Sequence, residues 1–332
     1  MPSRLRPVHV LAGVAALVVS VLAGVLAGAA ELGWQRVLGE LVAQVSGGVS
    51  PLSEREAAIL WQLRVPRVVL GALVGAALAV SGAAFQGVFR NPLADPYLLG
   101  SAAGAGLAVT VSITALPAVP VQVAAFAGAL GGVGLTWAVG RAAGGEAATL
   151  VLAGVAVGAF LTAGQTFVQQ LSLESLERVY MWILGRLSTT GWHEVLVVLP
   201  YLTVAAVVLC LCARLLDVLG TGDEEATALG VHPGRIRALV LVAASLATAA
   251  AVSAAGLIGF VGLVVPHLVR LAVGGGFRRI LPLSLLFGGA FLVLADMLAR
   301  TVLSPAELPI GVITAFTGAP FFAALLLARR HA

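Results

Sequence analysis

From Val8 to Ala30 the chain reads VHVLAGVAALVVSVLAGVLAGAA, without one Asp, Glu, Lys or Arg. A helix rises about 1.5 Å per residue, so about 20 such residues cross a hydrocarbon core of about 30 Å. Comparable runs recur near residues 65–88, 98–116, 120–140, 148–170, 194–213, 238–255, 257–273, 280–300 and 308–328. They are apolar all round rather than alternating with period two, which predicts membrane helices and excludes a barrel. Only 10% of the 332 residues are charged, against about 25% in soluble domains. The expectation is an all-α polytopic membrane protein of about ten transmembrane helices, in one domain covering residues 1–332. The first run exceeds the roughly 7 to 15 residues of a signal h-region, so it is read as a retained span although Arg4 and Arg6 precede it.

Charge sets the topology. All 19 basic residues are arginine. If the stretch from Ala238 to Val273 breaks near Gly256 into two crossings, then Arg4, Arg6, Arg90, Arg141, Arg214, Arg235, Arg237, Arg270, Arg278, Arg279, Arg329 and Arg330 share one side. Arg36, Arg55, Arg64, Arg67, Arg178, Arg186 and Arg300 share the other. The richer side is the cytoplasm by the positive-inside rule, which puts both termini there. Residues 31–64 then form an external amphipathic segment with Trp34 and Trp61 at the interface. Glycines four apart, Gly71 with Gly75, Gly128 with Gly132 and Gly154 with Gly158, allow close helix contacts, within the chain or between two copies.

The span centres hold almost no ionisable groups, whereas ion-coupled carriers need them. Asp296 is the nearest candidate and lies toward a helix end. There is no phosphate-binding loop and no lysine to complete one, so ATP, if it drives this protein, is bound by another chain. The five histidines are scattered, and no nucleophile elbow or zinc motif occurs, so neither enzyme chemistry nor a metal site is expected. His267 is read as a helix-end hydrogen-bonding residue. Cys210 and Cys212 are read as packing residues, and the basic balance as a topology signal rather than a nucleic-acid footprint.

Against this background GDEEATALGVHPGRIR, residues 222–237, stands out as a charged island within a cytoplasmic loop of about 214–237. Thr221 or Asp223 can cap a short helix from Glu224 to Leu229, with its acidic first turn at the positive end of the helix dipole. Gly230 ends it, and Pro233 can open a second short helix. Leu229 and Val231 among charges have the character of a docking knob, or of a solvated connector.

The chain resembles the FecCD-type permeases of ATP-binding-cassette importers, which carry ferric siderophores, haem and vitamin B12. The resemblance rests on LRVPR at 63–67, GAALAVSGAAFQGVFRNPLADPYLLGSAAGAG at 75–106, ALGV at 228–231, GLIGFVGLVVPHLVR at 256–270 and ELPIGVITAFTGAPFF at 307–322. It implies the type II importer permease fold, a homodimer with a central path, two ATPase subunits that bind ATP and Mg, and a periplasmic or lipid-anchored binding protein. The permease itself holds no cofactor.

The resemblance makes Asp223, Glu224, Glu225, Leu229, Gly230, Val231, His232 and Pro233 the loop that couples to the ATPase. It makes Arg64, Arg67 and Arg300 docking residues for the binding protein, presented at the outer face. Asn91 and Leu93 of the RNPLADP turn become candidates for a cytoplasmic gate, and Ala148 and Thr149 at the start of the fifth span are further candidates. The function implied is import of a metal chelate by alternating access across an inner membrane, ferric siderophore first and haem or cobalamin next. The competing expectation is an ion-coupled secondary transporter.

Overall fold

The computed structural model describes residues 6–28, 32–187 and 191–328, so Arg4, Arg329 and Arg330 lie outside the described residues. Helix α1 spans Pro7–Leu26 and is followed by α2 (Trp34–Ser46) and α3 (Glu54–Ala58). A π-helical turn at Ile59–Arg64 joins α3 to α4 (Val65–Val88). Then come α5 (Ser101–Thr114), α6 (Val121–Ala142), α7 (Ala147–Leu171), α8 (Leu176–Ile183), α9 (His193–Leu211), α10 (Ala213–Leu219) and α11 (Asp223–Ala228). The chain ends with α12 (Pro233–Ala255), α13 (Val261–Val273), α14 (Phe277–Thr301) and α15 (Ile310–Ala328). Ten of these, α1, α4–α7, α9 and α12–α15, fall on the ten expected spans, among the described residues.

The break near Gly256 is present. Gly256 has φ +70° and ends α12, and a Cβ there would lie 2.3 Å from the Trp182 carbonyl oxygen. The chain therefore turns back and the arginines sort as expected. Arg6, Arg90, Arg141, Arg214, Arg235, Arg237, Arg270, Arg278 and Arg279 lie with the island, and the seven others lie at the opposite, far face.

Helix α4 runs through the centre and is buried nearly all round, packed by α9, α12, α13 and α14. Small residues permit this. A Cβ on Gly75 would meet the Gly288 carbonyl oxygen at 2.2 Å, and one on Gly82 the Gly262 carbonyl oxygen at 1.9 Å. The glycine pairs of the sequence mostly serve contacts within the chain: Gly128 and Gly132 admit α5, and Gly154 admits the Leu98 carbonyl. Gly158 is different, since nothing lies within 4 Å of its Cβ position.

The segment from residue 32 to 64 is more ordered than a plain amphipathic stretch. Glu40, only 4% exposed, accepts hydrogen bonds from Ser50 and from Trp61 Nε1, so Trp61 is turned inward while Trp34 stays exposed. Ser53 and Glu56 form a capping box on α3, and Arg36 donates to both Glu56 carboxylate oxygens at 2.7 and 2.6 Å. Those bonds, with help from Ser53, hold the Glu56 carboxyl down at about 2, from 4.5. A depressed carboxyl stabilises the fold fully above its unfolded value and stops doing so as pH falls through its folded one. Amide protection across residues 53–58, corrected for intrinsic exchange, is expected to fall between about pH 4.5 and 2. Glu56→Gln should show the same loss at neutral pH, and an unchanged variant would refute the assignment.

Two minor expectations need correction. Cys212 packs inside but Cys210 is exposed, because two successive helical positions separated by one residue point to different faces. His267 sits in the middle of α13 rather than at a helix end, 3% exposed, with the Phe321 and Phe322 rings 6.1 and 6.4 Å away.

Candidate functional site

The island folds as a protruding helix with a firm ending. Around α11, Gly230 N–H donates to Thr227 O and Val231 N–H to Ala226 O, both at 2.9 Å, with Gly230 at φ +78°. This paired bonding satisfies the last carbonyls and requires the left-handed residue that glycine supplies. Glu224, Glu225, Leu229, Gly230 and His232 are exposed, Leu229 to 68%, while Val231 and Pro233 are half-buried and Ala226 anchors the helix beneath.

Neither Thr221 nor Asp223 caps the helix. Gly222 holds the N-cap position, and the Asp223 carboxylate is taken by Arg237 at 2.5 Å and Arg90 at 3.2 Å. Pro233 does not open a short helix either; it is the first residue of α12, which continues unbroken for 23 residues into the core. Any displacement of the knob is thus applied directly to a packed span.

Arg90 ties the island to the RNPLADP turn. It ends α4 in the left-handed region, at φ +50°, where Asn91 N–H donates to Gln86 O at 3.2 Å. The turn then closes locally, with Asn91 Oδ1 accepting from Leu93 N–H at 2.9 Å and Asp95 Oδ1 from Tyr97 N–H at 2.8 Å. A cavity of about 450 Å³ lies beside it, lined by Asn91, Ala148, Glu146, Arg90, Asp223 and Arg237 among others. Of the four gate candidates the structure brings Asn91 and Ala148 together on this cavity; Leu93, 49% exposed, and Thr149 do not line it. Arg90 and Arg237 were missed as linking residues, and only their positions flanking the two motifs could have signalled them.

A second opening lies between α5 and α7. Gly100, Ala102, Ala103, Gly154, Gly158 and Ala159 leave a groove of about 530 Å³ with Thr162 and Gln165 as polar points. Its wall includes Tyr97. Helices α5 and α13, of 14 and 13 residues, are only about 21 and 20 Å long, short of a hydrocarbon core of about 30 Å, so the irregular chain beside them at Tyr97 and Ile258 reaches toward the depth that the longer spans cross. Backbone there must be satisfied inside the protein. Tyr97 does this at once for Ile258, donating from its hydroxyl to the carbonyl at 3.0 Å and accepting from the N–H at 3.1 Å. Tyr97→Phe is expected to lower stability by about 2–3 kcal/mol through the two orphaned groups. A wild-type unfolding midpoint would count against this bracing role.

The three arginines expected at the far face are not equally available, and the expectation that all three present guanidinium groups outward is corrected. Arg64 and Arg300 are 6% and 4% exposed. They cover the end of α1, Arg64 donating to Val25 O at 3.1 Å and Arg300 to Ala27 O and Gly24 O at 3.0 and 3.2 Å. The last carbonyls of a helix attract cations, so both side chains fold inward. Asp296 joins Arg300 and Arg67 at 2.9 Å each, and Arg67 reaches Glu307 at 3.0 Å. Arg67 is thus the one partly open member, beside exposed Arg186, which shares with Glu307 a small cavity on that face.

Comparison with known proteins agrees with this architecture. A profile of the FecCD transport family matches residues 16–328. The chain is 48% identical to the cobalamin import system permease protein BtuC of Halobacterium salinarum over 272 residues, 81% of this chain and 73% of that protein. It is 40% identical to the Fe(3+)-citrate import system permease protein YfmD of Bacillus subtilis, covering 83% of each. It is 39% identical to the hemin transport system permease protein HmuU of Yersinia pestis, covering 82% of this chain and 84% of that one. A solved structure of a metal-chelate type ABC transporter in an inward-facing conformation superposes with a TM-score of 0.83 at 27% identity, covering 97% of this chain and all of that one. With its ten spans, its exposed acidic knob and this range of matches, the chain belongs to the FecCD transport family as a transmembrane ABC transporter permease.

Proposed function

We propose that this chain imports a metal chelate through the interface between two copies of itself, driven by a separate ATPase that grips the island. The carrying observation is the Arg90–Asp223–Arg237 junction, which joins the exposed α11 knob to the mouth beside Asn91 and Ala148 and to the root of α12. A motor pulling on the knob pulls on the mouth. The island face is then the cytoplasmic face of an inner membrane, with both termini there.

The small-residue groove between α5 and α7 is the half-path. The exposed Leu152, Val155, Phe160 and Phe167 of α7 are covered by the second copy. At the far face a periplasmic or lipid-anchored binding protein docks through Arg67, with Arg64 and Arg300 holding the helix ends beneath it. ATP and Mg reside on the partner ATPase. Relatives named for cobalamin, hemin and ferric citrate support a chelate cargo. Ferric siderophore stands first, haem and cobalamin next.

The test is uptake into proteoliposomes containing this chain, its ATPase and its binding protein, with labelled ferric siderophore, haem and cobalamin. ATP-dependent accumulation of one cargo is expected. Accumulation that ignores ATP and follows an ion gradient would overturn the proposal in favour of secondary transport. The double pairing of Asp296 already leaves that carboxylate poorly suited to exchange a coupling ion.

A further inference from the structure

Between the end of α6 and the start of α12, on the island face, lies a cavity of about 540 Å³ that the coupling and gating argument does not use. Trp137 and Arg141 line it from α6, Gly144 and Gly145 from the following turn, and Arg235 and Arg237 from α12. None of its lining residues is acidic. Of the carboxylates on the adjoining segments, Asp223 holds one Nη of Arg237 at 2.5 Å and Glu146 lines the neighbouring cavity.

Arg237 is more than nine-tenths buried and its charge is taken by Asp223, so Arg141 and Arg235 are the lining arginines open to a ligand. No ion pair among the described residues reaches Arg141 or Arg235. Arg141 and Arg235 stand exposed at the cavity wall, and guanidinium groups without a carboxylate partner match the oxygens of a phosphate. The cavity is therefore built for an anion.

Its surroundings choose the kind of anion. Leu239 and Val242 on α12, one and two turns below Arg235 on the same helix face, are exposed apolar side chains. A tryptophan at the charged end of an apolar helix is the usual marker of the headgroup level. Phosphate-binding chemistry above and an apolar wall below fit one amphipathic molecule, and basic pockets between spans are known to take anionic headgroups.

We infer that this cavity binds an anionic phospholipid, its phosphate on Arg141 and Arg235 and its chains along α12. Because Arg235 stands two residues before Arg237, which holds Asp223, the bound lipid steadies the root of the island. The inference rests on α6 and α12 crossing the membrane; it is independent of cargo and of transport direction.

The test is native mass spectrometry of the full chain in neutral detergent with equimolar phosphatidylglycerol and phosphatidylcholine. Selective retention of phosphatidylglycerol is expected. Each arginine near an anionic headgroup strengthens binding roughly fivefold, so Arg141→Gln with Arg235→Gln should weaken retention about 30-fold. Arg237 is left in place so that the Asp223 pair survives, and an unchanged thermal midpoint verifies folding. Lysine at both positions should restore most of the retention.

Equal retention of the two lipids, or equal retention of phosphatidylglycerol by wild type and the glutamine variant, overturns the inference. So does a thermal shift of the wild type alone by millimolar inorganic phosphate without lipid retention, which assigns the cavity to a soluble anion. If the glutamine variant keeps its lipid but no longer associates with the partner ATPase, the occupant is an acidic segment of that partner and the inference is likewise overturned.

Discussion

Asp296→Ala is expected to cost about 3–5 kcal/mol and to remove most of the folded protein from membranes, because it strands charge in the interior. Asp296 is 1% exposed and accepts from Arg67 Nε and Nη at 3.0 and 2.9 Å and from Arg300 Nε at 2.9 Å. Without it, Arg300 keeps only the carbonyls at the end of α1, with the Arg64 guanidinium close by. Carbonyls offer partial charge, which does not neutralise two buried cations. Replacing the whole pair is a different matter, since apolar residues of similar volume often match a buried ion pair in stability. Asp296→Leu with Arg300→Met should therefore recover at least half of the loss, with Arg67 retaining Glu307. Unfolding midpoints of the three proteins in detergent decide this, and a stable Asp296→Ala would show the network to be dispensable.

That network also marks where sequence reading reached its limit. Run length and hydrophobicity are local, so the ten spans were legible, and so was the break at Gly256, because two crossings were required to keep the arginines on one side. Which way a terminal arginine turns is not local. Arg64, Arg67 and Arg300 were assigned correctly to one end of the bundle, but only the packing of α1 against α4 and α14 draws Arg64 and Arg300 inward. Tyr97 and Ile258 are 161 positions apart, and nothing in either segment names the other. The Gly230 ending of α11 was readable from residue type. The Asp223 cap was not, because a carboxylate at a helix start can serve the backbone or distant arginines, and here Arg90 and Arg237 offer full charges. Ser53 and Glu56 are the opposite case: a capping-box spacing stood in the sequence unread.

Gly230→Arg is expected to abolish ATP-driven uptake while leaving the permease folded. The left-handed conformation costs a non-glycine residue about 1–2 kcal/mol, and this protein already accommodates an arginine in that region at Arg90. Nothing lies within 4 Å of a Cβ built on Gly230, so the new side chain points away from its own chain and into whatever seats on the knob. Excluding a docked partner by about 3 kcal/mol weakens it more than 100-fold. Gly230→Ala separates the two causes: it carries the same backbone strain without the bulk, and uptake should remain within a few-fold of wild type. If both variants fail alike, the strained turn is responsible. Wild-type uptake by Gly230→Arg, with its ATPase still bound, would remove the island from the motor interface altogether. A dead Gly230→Arg beside an active Gly230→Ala is the pattern that only an occupied knob produces, because only then does the space in front of Gly230 matter.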